Sequence, residues 1–456
     1  MANSESTLNP TARQLAFRTL RQIDRRQTYT DVAVNQALSQ NLLSSPERGL
    51  FTELVYGVSR QQRRLDYLLT QLGDRPSDKQ PPNLRRIVHL GLYQLSFCDQ
   101  IPAAAAVNTS VELAKQQGLK GLSKVVNGML RRYQRALAAG ETLLPSPDCP
   151  EHRGIIYSLP DWIVSLCEQQ LPGSEAPALY DYFNQSPHTD IRVNALRTTR
   201  NQVQEALSAS GITTKPVPGL PQGLRLLGKT GSIPQLPGFQ QGWWTVQDAS
   251  AQWVTQILAP QSGETIFDVC AAPGGKTTHM AEHMGDQGQV WAGDRTQWRL
   301  QKLATTQQRL RLTSIQTWCG DLTQEDPPPC SEVDRALLDV PCSGLGTLHH
   351  NPDLRWHQSP EQIQTLVTLQ AQLLAATAPL VKPGGILVYS TCTLNPEENQ
   401  AQIQRFLQAN PTWLTVPFEW VTPQGTAEYC SDGELTLWPH RHDLDGFFIA
   451  KLQKAN

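Results

Sequence analysis

The chain has 456 residues, enough for about three domains of ordinary size, and its nine cysteines include no C-x-x-C pair. The start of the chain lacks a secretory signal, and no apolar run approaches the roughly 18 residues of a membrane span. A disulfide framework and a common zinc site are therefore poor interpretations of the cysteines. We expect a cytoplasmic protein without membrane segments and without a bound metal.

Charge is distributed unevenly along the chain. Residues 1–135 contain 19 Lys+Arg against 10 Asp+Glu, a net charge of +9, and the remainder contains 20 against 31, a net charge of −11. A basic segment of this kind favours contact with a polyanion such as RNA or DNA, although any single arginine also fits a solvated helix face. The arginines concerned are Arg13, Arg18, Arg21, Arg25, Arg26, Arg60, Arg63, Arg64, Arg131, Arg132 and Arg135.

The first predicted elements are helices. In stretches such as "ERGLFTELVYGVSRQQRRLDYLLTQL", apolar residues recur three and four positions apart, which predicts an all-helical bundle. A Pro- and Gly-rich stretch from about 140 to 165 predicts a linker, and mixed helical and strand-like patterns then predict a small α+β segment. The predicted domains are residues 1–140, 141–240 and 241–456.

The last domain alternates strand and helix patterns. This order predicts a doubly wound parallel sheet, whose ligands bind at the carboxyl ends of the strands. Four consecutive predicted strands lead to residues that can carry chemistry: Cys270, Asp294, Asp321 and Asp339. We expect these residues to surround one crevice.

A glycine turn follows the first of these strands, in "FDVCAAPGGKTTH". A nucleotide P-loop would need glycine five positions before the Gly-Lys pair, where Cys270 stands, so the sequence disfavours that motif. Asp294 lies 19 residues after Gly275, at a position suited to accept hydrogen bonds from both hydroxyls of a ribose. The pattern indicates an adenosine-bearing cofactor, and S-adenosylmethionine fits better than NAD or ATP.

Two cysteines follow hydrophobic runs in similar settings. Cys342 lies in "LLDVPCSGLGT" and Cys392 in "LVYSTCTLNPEEN". A free buried cysteine is ordinarily a small apolar residue, which is our expectation for Cys98, Cys167, Cys319 and Cys330. Because Cys342 and Cys392 each follow a strand and occupy a polar loop, we expect these two thiols to share one chemical task.

Several motifs carry a family resemblance. The stretches "GWWTVQDASAQWV", "CAAPGGKTTH", "DVPCSGLGT", "YSTCTLNPEENQ" and "DGFFIAKL" resemble the successive motifs of the RNA cytosine-5 methyltransferases. The basic helical segment is similar to the antitermination factor NusB. The resemblance implies an all-α NusB-like bundle, a small α+β segment and a C-terminal α/β Rossmann-like methyltransferase domain. Departures from the family pattern are Val340, where alanine is usual, and "LHHNPDLRW", where relatives often have arginines.

The resemblance also implies an activity and its residues. The expected reaction transfers a methyl group from S-adenosyl-L-methionine to carbon-5 of a cytidine in 16S ribosomal RNA, by a protein that acts as a monomer in rRNA processing. Cytosine carbon-5 becomes nucleophilic when a thiolate adds to carbon-6, so covalent catalysis is needed. By resemblance, Cys392 is the nucleophile and Cys342 assists release.

The remaining expectations concern Asp339 and the cofactor. An ordinary carboxyl is only about 0.1% protonated at pH 7, so we expect Asp339 to stabilise the reacting ring edge by hydrogen bonding. We also expect the target base to be flipped into the site. The implied cofactor-binding residues are Cys270, Ala271, Ala272, Pro273, Gly274, Gly275, Lys276, Asp294, Asp321 and Asp339.

Two alternatives remain open from the sequence. The same chemistry could act on tRNA or on 23S ribosomal RNA, which would leave every catalytic assignment in place. A non-catalytic NusB-like RNA-binding or antitermination factor is a different class of protein. It would be expected to carry damaged cofactor or thiol motifs, and the motifs here are intact.

Overall fold

The computed structural model describes residues 10–146, 149–228, 230–324, 326, 328 and 330–456. The chain forms two compact units. Unit 1 contains the chain up to Gln185 together with Leu348–His357, and unit 2 contains Ser186–Thr347 and Gln358–Asn456. Neither unit ends at residue 140 or 240, so the two predicted boundaries between the three domains stay a prediction.

The helices and strands are numbered in chain order. The helices are α1 Ala12–Arg26, α2 Thr30–Gln40, α3 Ser45–Arg60, α4 Gln62–Leu72, α5 Pro82–Phe97, α6 Ala103–Gln116, α7 Ser123–Ala138, α8 Arg153–Ile156, α9 Asp161–Gln170, α10 Ala176–Phe183, α11 Arg200–Ala209, α12 Ala249–Leu258, α13 Gly275–His283, α14 Gln297–Leu310, α15 Leu354–His357, α16 Pro360–Thr377, α17 Gln400–Ala409 and α18 Pro439–His442. The strands are β1 Thr189–Val193, β2 Thr213–Pro216, β3 Gly223–Leu227, β4 Trp244–Val246, β5 Thr265–Asp268, β6 Gln289–Asp294, β7 Ile315–Cys319, β8 Val333–Asp339, β9 Val381–Thr391, β10 Trp413–Thr415, β11 Phe418–Val421, β12 Ala427–Cys430, β13 Glu434–Leu437 and β14 Phe447–Lys454.

Unit 1 is helical, as the apolar periodicity predicts. Its core contains Phe17 of α1, Phe51 of α3 and Leu65 of α4, all nearly inaccessible to solvent. Thr11 caps α1, because its hydroxyl accepts a hydrogen bond from the Gln14 amide and the Gln14 side chain accepts one from the Thr11 amide. None of the described helices is long and apolar enough to cross a membrane.

The predicted linker is partly ordered. Residues 150–156 form a short 3₁₀ turn followed by α8, while residues 147 and 148 of this stretch lie outside the described residues. With four residues, α8 is too short for its sequence to show helical periodicity. Gly154 allows close packing here, since a Cβ added to it would lie 2.3 Å from a guanidinium nitrogen of Arg63.

The segment from Leu348 to His357 belongs to unit 1, although it follows the Cys342 motif in sequence. Its Arg355 is fully buried and donates hydrogen bonds to the carbonyl oxygens of Ser158 at 3.1 Å and Phe183 at 3.0 Å. This segment contains the "LHHNPDLRW" stretch in which the sequence departs from the family pattern. Its buried arginine therefore stabilises the fold of unit 1.

Unit 2 begins with a four-stranded antiparallel sheet in the order β2-β3-β1-β4, with the buried side chains of α11 in the same core. This arrangement matches the predicted α+β segment. Its last strand, β4, lies beyond residue 240 because Trp244 fills the core of this sheet and is fully buried. The sequence signal for β4 is weak because the strand has only three residues.

The main sheet of unit 2 has the order β10-β14-β9-β8-β5-β6-β7, with β13 paired to β14. The five strands from β9 to β7 are parallel, as predicted. The expectation of a wholly parallel sheet is wrong, because β14 runs antiparallel to β9, β10 and β13. Only nine residues connect β13 to β14, too few for the crossover that parallel neighbours require.

Candidate active site

The glycine turn predicted from the sequence connects β5 to α13. Gly274 has a φ of +104°, and a Cβ at this position would lie 2.6 Å from Cγ of Leu303. Glycine is therefore required both for the backbone conformation and for the close approach of the loop to α14. The turn leaves backbone N–H groups at the start of α13, where a negative group is favoured.

Arg192 of β1 supports this turn from the neighbouring sheet. It is fully buried and donates hydrogen bonds to the carbonyl oxygen of Gly275 at 2.8 Å and to Oγ1 of Thr278 at 3.0 Å. Its charge is paired with the buried Glu282 carboxylate, with two contacts of 2.9 Å. Arg192 has no local signal in the sequence, because its role depends on packing between the two sheets of unit 2.

A cleft opens at the carboxyl ends of β6 and β7. The predicted residues Cys270, Asp294 and Asp321 line it, and apolar walls come from Leu369 and Leu373 of α16. Carboxylates can accept hydrogen bonds from ribose hydroxyls, and the leucines provide an apolar surface for adenine. These residues fit the adenosine part of a cofactor.

Asp294 already has two partners in this cleft. Its carboxylate accepts hydrogen bonds from the amide of Thr296 at 2.8 Å and from Nη1 of Arg299 at 2.9 Å. Arg299 also donates to the carbonyl oxygen of Ala272 at 2.6 Å. Because the Arg299 side chain is 42% exposed, it can exchange the Asp294 carboxylate for solvent when a ribose is bound.

The other predicted cofactor residues lie in the turn or beside the thiols. Asp339 does not line the cleft described above. Its carboxylate is paired instead with Lys276, with 2.6 Å between Nζ and Oδ2, and accepts a hydrogen bond of 2.8 Å from Oγ of Ser390. The remaining turn residues are Ala271, Ala272, Pro273, Gly274 and Gly275.

Lys276 is held in an enclosed setting. Its ammonium group lies 5.0 Å from the centroid of the Phe447 ring. Burial alone would lower its pKa, but the Asp339 carboxylate and the nearby Cys392 thiol group raise the pKa above its ordinary value. Lys276 is therefore a fixed positive charge close to both predicted catalytic groups.

The two predicted catalytic thiols face each other. The Sγ atoms of Cys342 and Cys392 are 3.3 Å apart. The hydrogen bond to Cys392 and burial together raise the pKa of Cys342 well above that of a free thiol. A thiol with a raised pKa keeps its proton at neutral pH, so Cys342 is a protonated thiol that faces Sγ of Cys392.

A buried carboxylate joins the loops that carry these thiols. Glu398 accepts hydrogen bonds from the amide of Ser343 at 2.8 Å, from Nδ2 of Asn395 at 3.2 Å and from Nε2 of Gln370 at 3.1 Å. Ser343 follows Cys342 directly, and Asn395 lies three residues after Cys392. Glu398 is not predicted as a site residue, because no local sequence pattern shows that it connects the two loops.

Asp268 is a second missed carboxylate. It ends β5 and would have been found by the strand-end criterion applied to the other acids. Its Oδ2 accepts a 2.6 Å hydrogen bond from Oγ1 of Thr277, its Oδ1 has no partner among the described residues, and burial raises its pKa to about 7. Among the other cysteines, Cys167 is buried as expected, whereas Cys319 is exposed because it ends the edge strand β7.

This combination of a NusB-like bundle with a methyltransferase-type sheet is reflected in three family matches. Residues 255–453 match the 16S rRNA methyltransferase RsmB/F family, residues 10–135 match the NusB family, and residues 159–231 match the ferredoxin-like domain of RsmF/B-like methyltransferases. The chain belongs to the 16S rRNA methyltransferase RsmB/F family. These matches confirm the predicted NusB-like and Rossmann-like domains.

Individual relatives support the same family. The chain is 64% identical over 445 residues to the probable ribosomal RNA small subunit methyltransferase B of Synechocystis sp., covering 97% of this chain and 99% of the relative. A methyltransferase homolog from Pyrococcus horikoshii is 30% identical with a TM-score of 0.59, over 68% of this chain and 100% of that one. NSun6 from the same organism, crystallised with SFG, has the same fold at 22% identity, with a TM-score of 0.57 over 64% and 97% of the two chains.

Proposed function

We propose that the protein transfers a methyl group from S-adenosylmethionine to carbon-5 of a cytidine in 16S ribosomal RNA, with Cys392 as the covalent nucleophile. The observation that carries this proposal is the pair of thiols, whose Sγ atoms are 3.3 Å apart and in which the pKa of Cys342 is raised well above that of a free thiol. A single cysteine would suffice for nucleophilic addition. Two facing cysteines suit a reaction in which a covalent bond must form and then be released.

The cofactor assignment has separate support. The Asp294 and Asp321 cleft fits an adenosine, and the fold neighbour NSun6 holds SFG, an analogue of S-adenosylmethionine. When bound, S-adenosylmethionine supplies the methyl group from its sulfonium centre. The residues that would hold it are the turn from Cys270 to Lys276 and the strand-end acids Asp294 and Asp321.

The first step belongs to Cys392. Its thiolate adds to carbon-6 of the cytosine, and the electron pair of the carbon-5–carbon-6 double bond shifts so that carbon-5 becomes nucleophilic. As the thiolate adds, nitrogen 3 of the ring takes a proton from solvent, which it returns when the thiolate leaves. Asp339, fixed by Lys276 and Ser390, accepts a hydrogen bond from this protonated ring edge and stabilises it. Carbon-5 then takes the methyl group.

The last step needs a base and a leaving thiolate. Once Cys392 is bonded to carbon-6, the hydrogen bond that keeps the proton on Cys342 is broken. Cys342 can then release this proton to water and accept the proton of carbon-5. As that proton leaves, the carbon-6–sulfur bond breaks, aromaticity returns and Cys392 departs as a thiolate.

The test uses wild type, Cys342→Ala and Cys392→Ala with naked 16S RNA and methyl-labelled cofactor, followed by denaturing gels. We expect Cys342→Ala to accumulate a covalent protein–RNA adduct. Cys392→Ala should form no adduct and transfer no methyl group. Cys430→Ala, a change in a thiol outside the site, serves as the control and should behave like wild type.

Three outcomes would contradict the proposal in different ways. Equal behaviour of Cys342→Ala and Cys392→Ala would overturn the assignment of roles. Methyl transfer to tRNA or 23S ribosomal RNA alone would change the substrate and leave the chemistry in place. An absence of transfer to any RNA by wild type would favour a non-catalytic RNA-binding protein.

A further inference from the structure

Unit 1 contains a large cavity that the proposed chemistry does not use. The cavity is partly open to solvent and has a volume of about 680 Å³, within the roughly 300–1,000 Å³ range of ligand pockets. Residues from the junction of α3 and α4, the end of α5, and the chain around α8 and α10 line it. Its lining includes Arg60, Gln61, Arg64, Phe97, Tyr157 and Asp181.

Two arginines in this cavity have unpaired donors. Arg60 is only 6% exposed, and one of its terminal nitrogens donates to the carbonyl oxygen of His349 at 3.0 Å. The Nε groups of Arg60 and Arg64 have no partner among the described residues, and burial lowers the pKa of both arginines. No described carboxylate forms an ion pair with either side chain.

A buried acceptor is also unpaired. Gln61 is 6% exposed, and its Oε1 atom has no hydrogen-bond partner among the described residues. Buried polar atoms are almost always hydrogen-bonded, so the absence of protein partners for a donor on each arginine and for an acceptor on Gln61 indicates a ligand or ordered water. The ligand would need both acceptor and donor groups.

The walls are suited to a flat, negatively charged ligand. The Arg64 guanidinium lies 5.2 Å from the Phe97 ring centroid, which presents a flat cationic face, and Tyr157 adds an aromatic side chain. Asp181 is exposed at this site and would repel a phosphate, but it can accept hydrogen bonds from the amino group of a base. A nucleotide with its phosphate at the arginines and the amino group of its base at Asp181 would have hydrogen-bond partners at both of its ends.

We propose that this cavity binds one unpaired nucleotide of the RNA substrate, stacked against Arg64 and Tyr157 with its phosphate near Arg60. The proposal rests on the proposed function for the RNA class, and it adds a binding site remote in sequence from the thiol motifs. Bases of structured RNA are commonly bound outside helices by stacking on aromatic rings and guanidinium planes. The +9 charge of residues 1–135 favours a segment of RNA over a free uncharged ligand.

The test measures RNA binding by the full chain in a Cys392→Ala background, so that it does not depend on catalysis. Arg64→Met retains the aliphatic stem and removes the guanidinium, and Tyr157→Ala removes the ring. Each should weaken binding of a 16S RNA fragment about tenfold, since stacking on one base contributes on this scale. Tyr157→Phe should bind like wild type.

Arg48→Met is the matched control for charge. Arg48 lies on α3 like Arg60 but is exposed outside the cavity, so this change should alter the affinity less than twofold. In the catalytically intact chain, Arg64→Met should raise KM for RNA with kcat within twofold. RNA carrying 4-thiouridine should photocrosslink to the Tyr157 peptide in wild type and lose this crosslink in Arg64→Met.

The outcomes separate this proposal from the proposed function. Unchanged RNA affinity and KM in both cavity variants, with normal methyl transfer by wild type, would overturn the nucleotide site alone. Loss of binding in the cavity variants without methyl transfer to any cytidine by the intact chain would support the site and overturn the proposed function. Tight binding of free cytidine monophosphate, lost in Arg64→Met while RNA binding is unchanged, would show that the cavity takes a mononucleotide instead.

Discussion

Lys276 is a single residue that belongs to the cofactor turn and also contacts the catalytic groups. It lies in the first turn of α13, pairs with Asp339 at 2.6 Å and interacts electrostatically with Cys392. A positive charge in an enclosed site favours a nearby thiolate over the thiol. Lys276 is therefore expected to control how readily Cys392 reacts.

The prediction for Lys276→Met concerns the reactivity of Cys392 toward iodoacetamide. Loss of the positive charge should slow alkylation of Cys392 at pH 7 by about three- to tenfold, since tenfold corresponds to about 1.4 kcal/mol of lost thiolate stabilisation. Mass spectrometry of the Cys392 peptide provides the rate. Lys302→Met removes an exposed lysine of α14 and should leave this rate unchanged. Equal rates in Lys276→Met and wild type would show that Lys276 acts only on Asp339.

Asp268 gives a prediction about stability and pH. Because burial raises its pKa to about 7, the folded protein binds this proton more tightly than the unfolded chain does. The stabilisation is complete below about pH 4 and is lost as the pH rises to about 7. Asp268→Asn stays neutral, so the Tm difference between variant and wild type should become more positive by roughly 3–8 °C from pH 5 to pH 8.

Asp286→Asn is the control for this measurement. Although burial opposes it, hydrogen bonds from Ser314 and Thr313 lower the pKa of Asp286, so Asp286 is ionised throughout this range in folded protein. Its substitution should change Tm by the same amount at pH 5 and pH 8. A constant Tm difference for Asp268→Asn as well would mean that Asp268 is ionised in the folded protein at pH 5.

At the scale of elements, the thiol spacing depends on two loops at the ends of neighbouring strands. Cys342 follows β8 and Cys392 follows β9, and these strands pair in parallel up to Asp339 and Ser390. Strand pairing brings the loops together, and Glu398 then connects them through hydrogen bonds to residues of both. We treat the carboxylate as a positioning group, because its hydrogen bonds join residues of the two loops and none of those described joins it to either sulfur.

Glu398→Gln should separate thiol positioning from cofactor binding. In the glutamine variant, an NH2 group replaces one carboxylate oxygen and faces hydrogen-bond donors of the two loops. These buried donors then have no acceptor, which costs about 1–3 kcal/mol of stability. We expect methyl transfer to fall about 10–100-fold at saturating substrates, while the Kd for S-adenosylmethionine measured by calorimetry changes less than twofold. Glu397→Gln changes the adjacent exposed residue and should retain wild-type activity. A matching loss of cofactor affinity in Glu398→Gln would assign Glu398 to general folding of unit 2.

The sequence predicts the parallel part of the main sheet well because β5, β6, β8 and β9 are buried apolar runs with turns between them. It does not predict the antiparallel addition of β14 next to β9. A buried strand has the same apolar pattern in either direction, and its direction is decided by the length of the connection to its neighbours. A similar limit explains why the sequence predicts a linker where α8 lies, since four residues cannot show a helical period.

The residues of the candidate site also fall into a group that the sequence predicts and a group that it does not. Cys342, Cys392 and the strand-end acids are predictable, because each follows a hydrophobic run at a common edge of the sheet. Glu398, Arg192 and the cavity around Arg64 are not. Ser343 lies 55 residues from Glu398, and the partners of Arg192 at Gly275 and Glu282 lie 83 and 90 residues away. In the cavity, Tyr157 and Asp181 lie more than 90 residues from Arg64 in the chain. Their roles follow from tertiary packing, for which a single sequence gives no local signal.

At the scale of the whole molecule, charge is separated along the chain, with +9 in residues 1–135 and −11 in the remainder. If RNA binding depends on this basic segment, removing arginines that bind phosphates should reduce the salt dependence of binding. Arg132 and Arg135 are exposed and three residues apart on α7, so they project from one face of that helix. They suit a test that leaves the packed core unchanged.

We expect the double variant Arg132→Gln, Arg135→Gln to bind 16S RNA more weakly at 0.1 M salt and with a shallower plot of log affinity against log salt. The slope should decrease by about 0.7–0.9 for each phosphate that is no longer neutralised. The turnover rate at saturating RNA should stay within twofold of wild type, because the thiol pair is unaltered. Filter binding across a salt series measures the slope, and the pair Arg132→Lys, Arg135→Lys, which preserves both charges, should retain it. An unchanged slope in the glutamine variant would exclude these arginines from phosphate binding. An equal decrease of the slope in the lysine variant would mean that the RNA requires the geometry of the guanidinium groups and not only their charge.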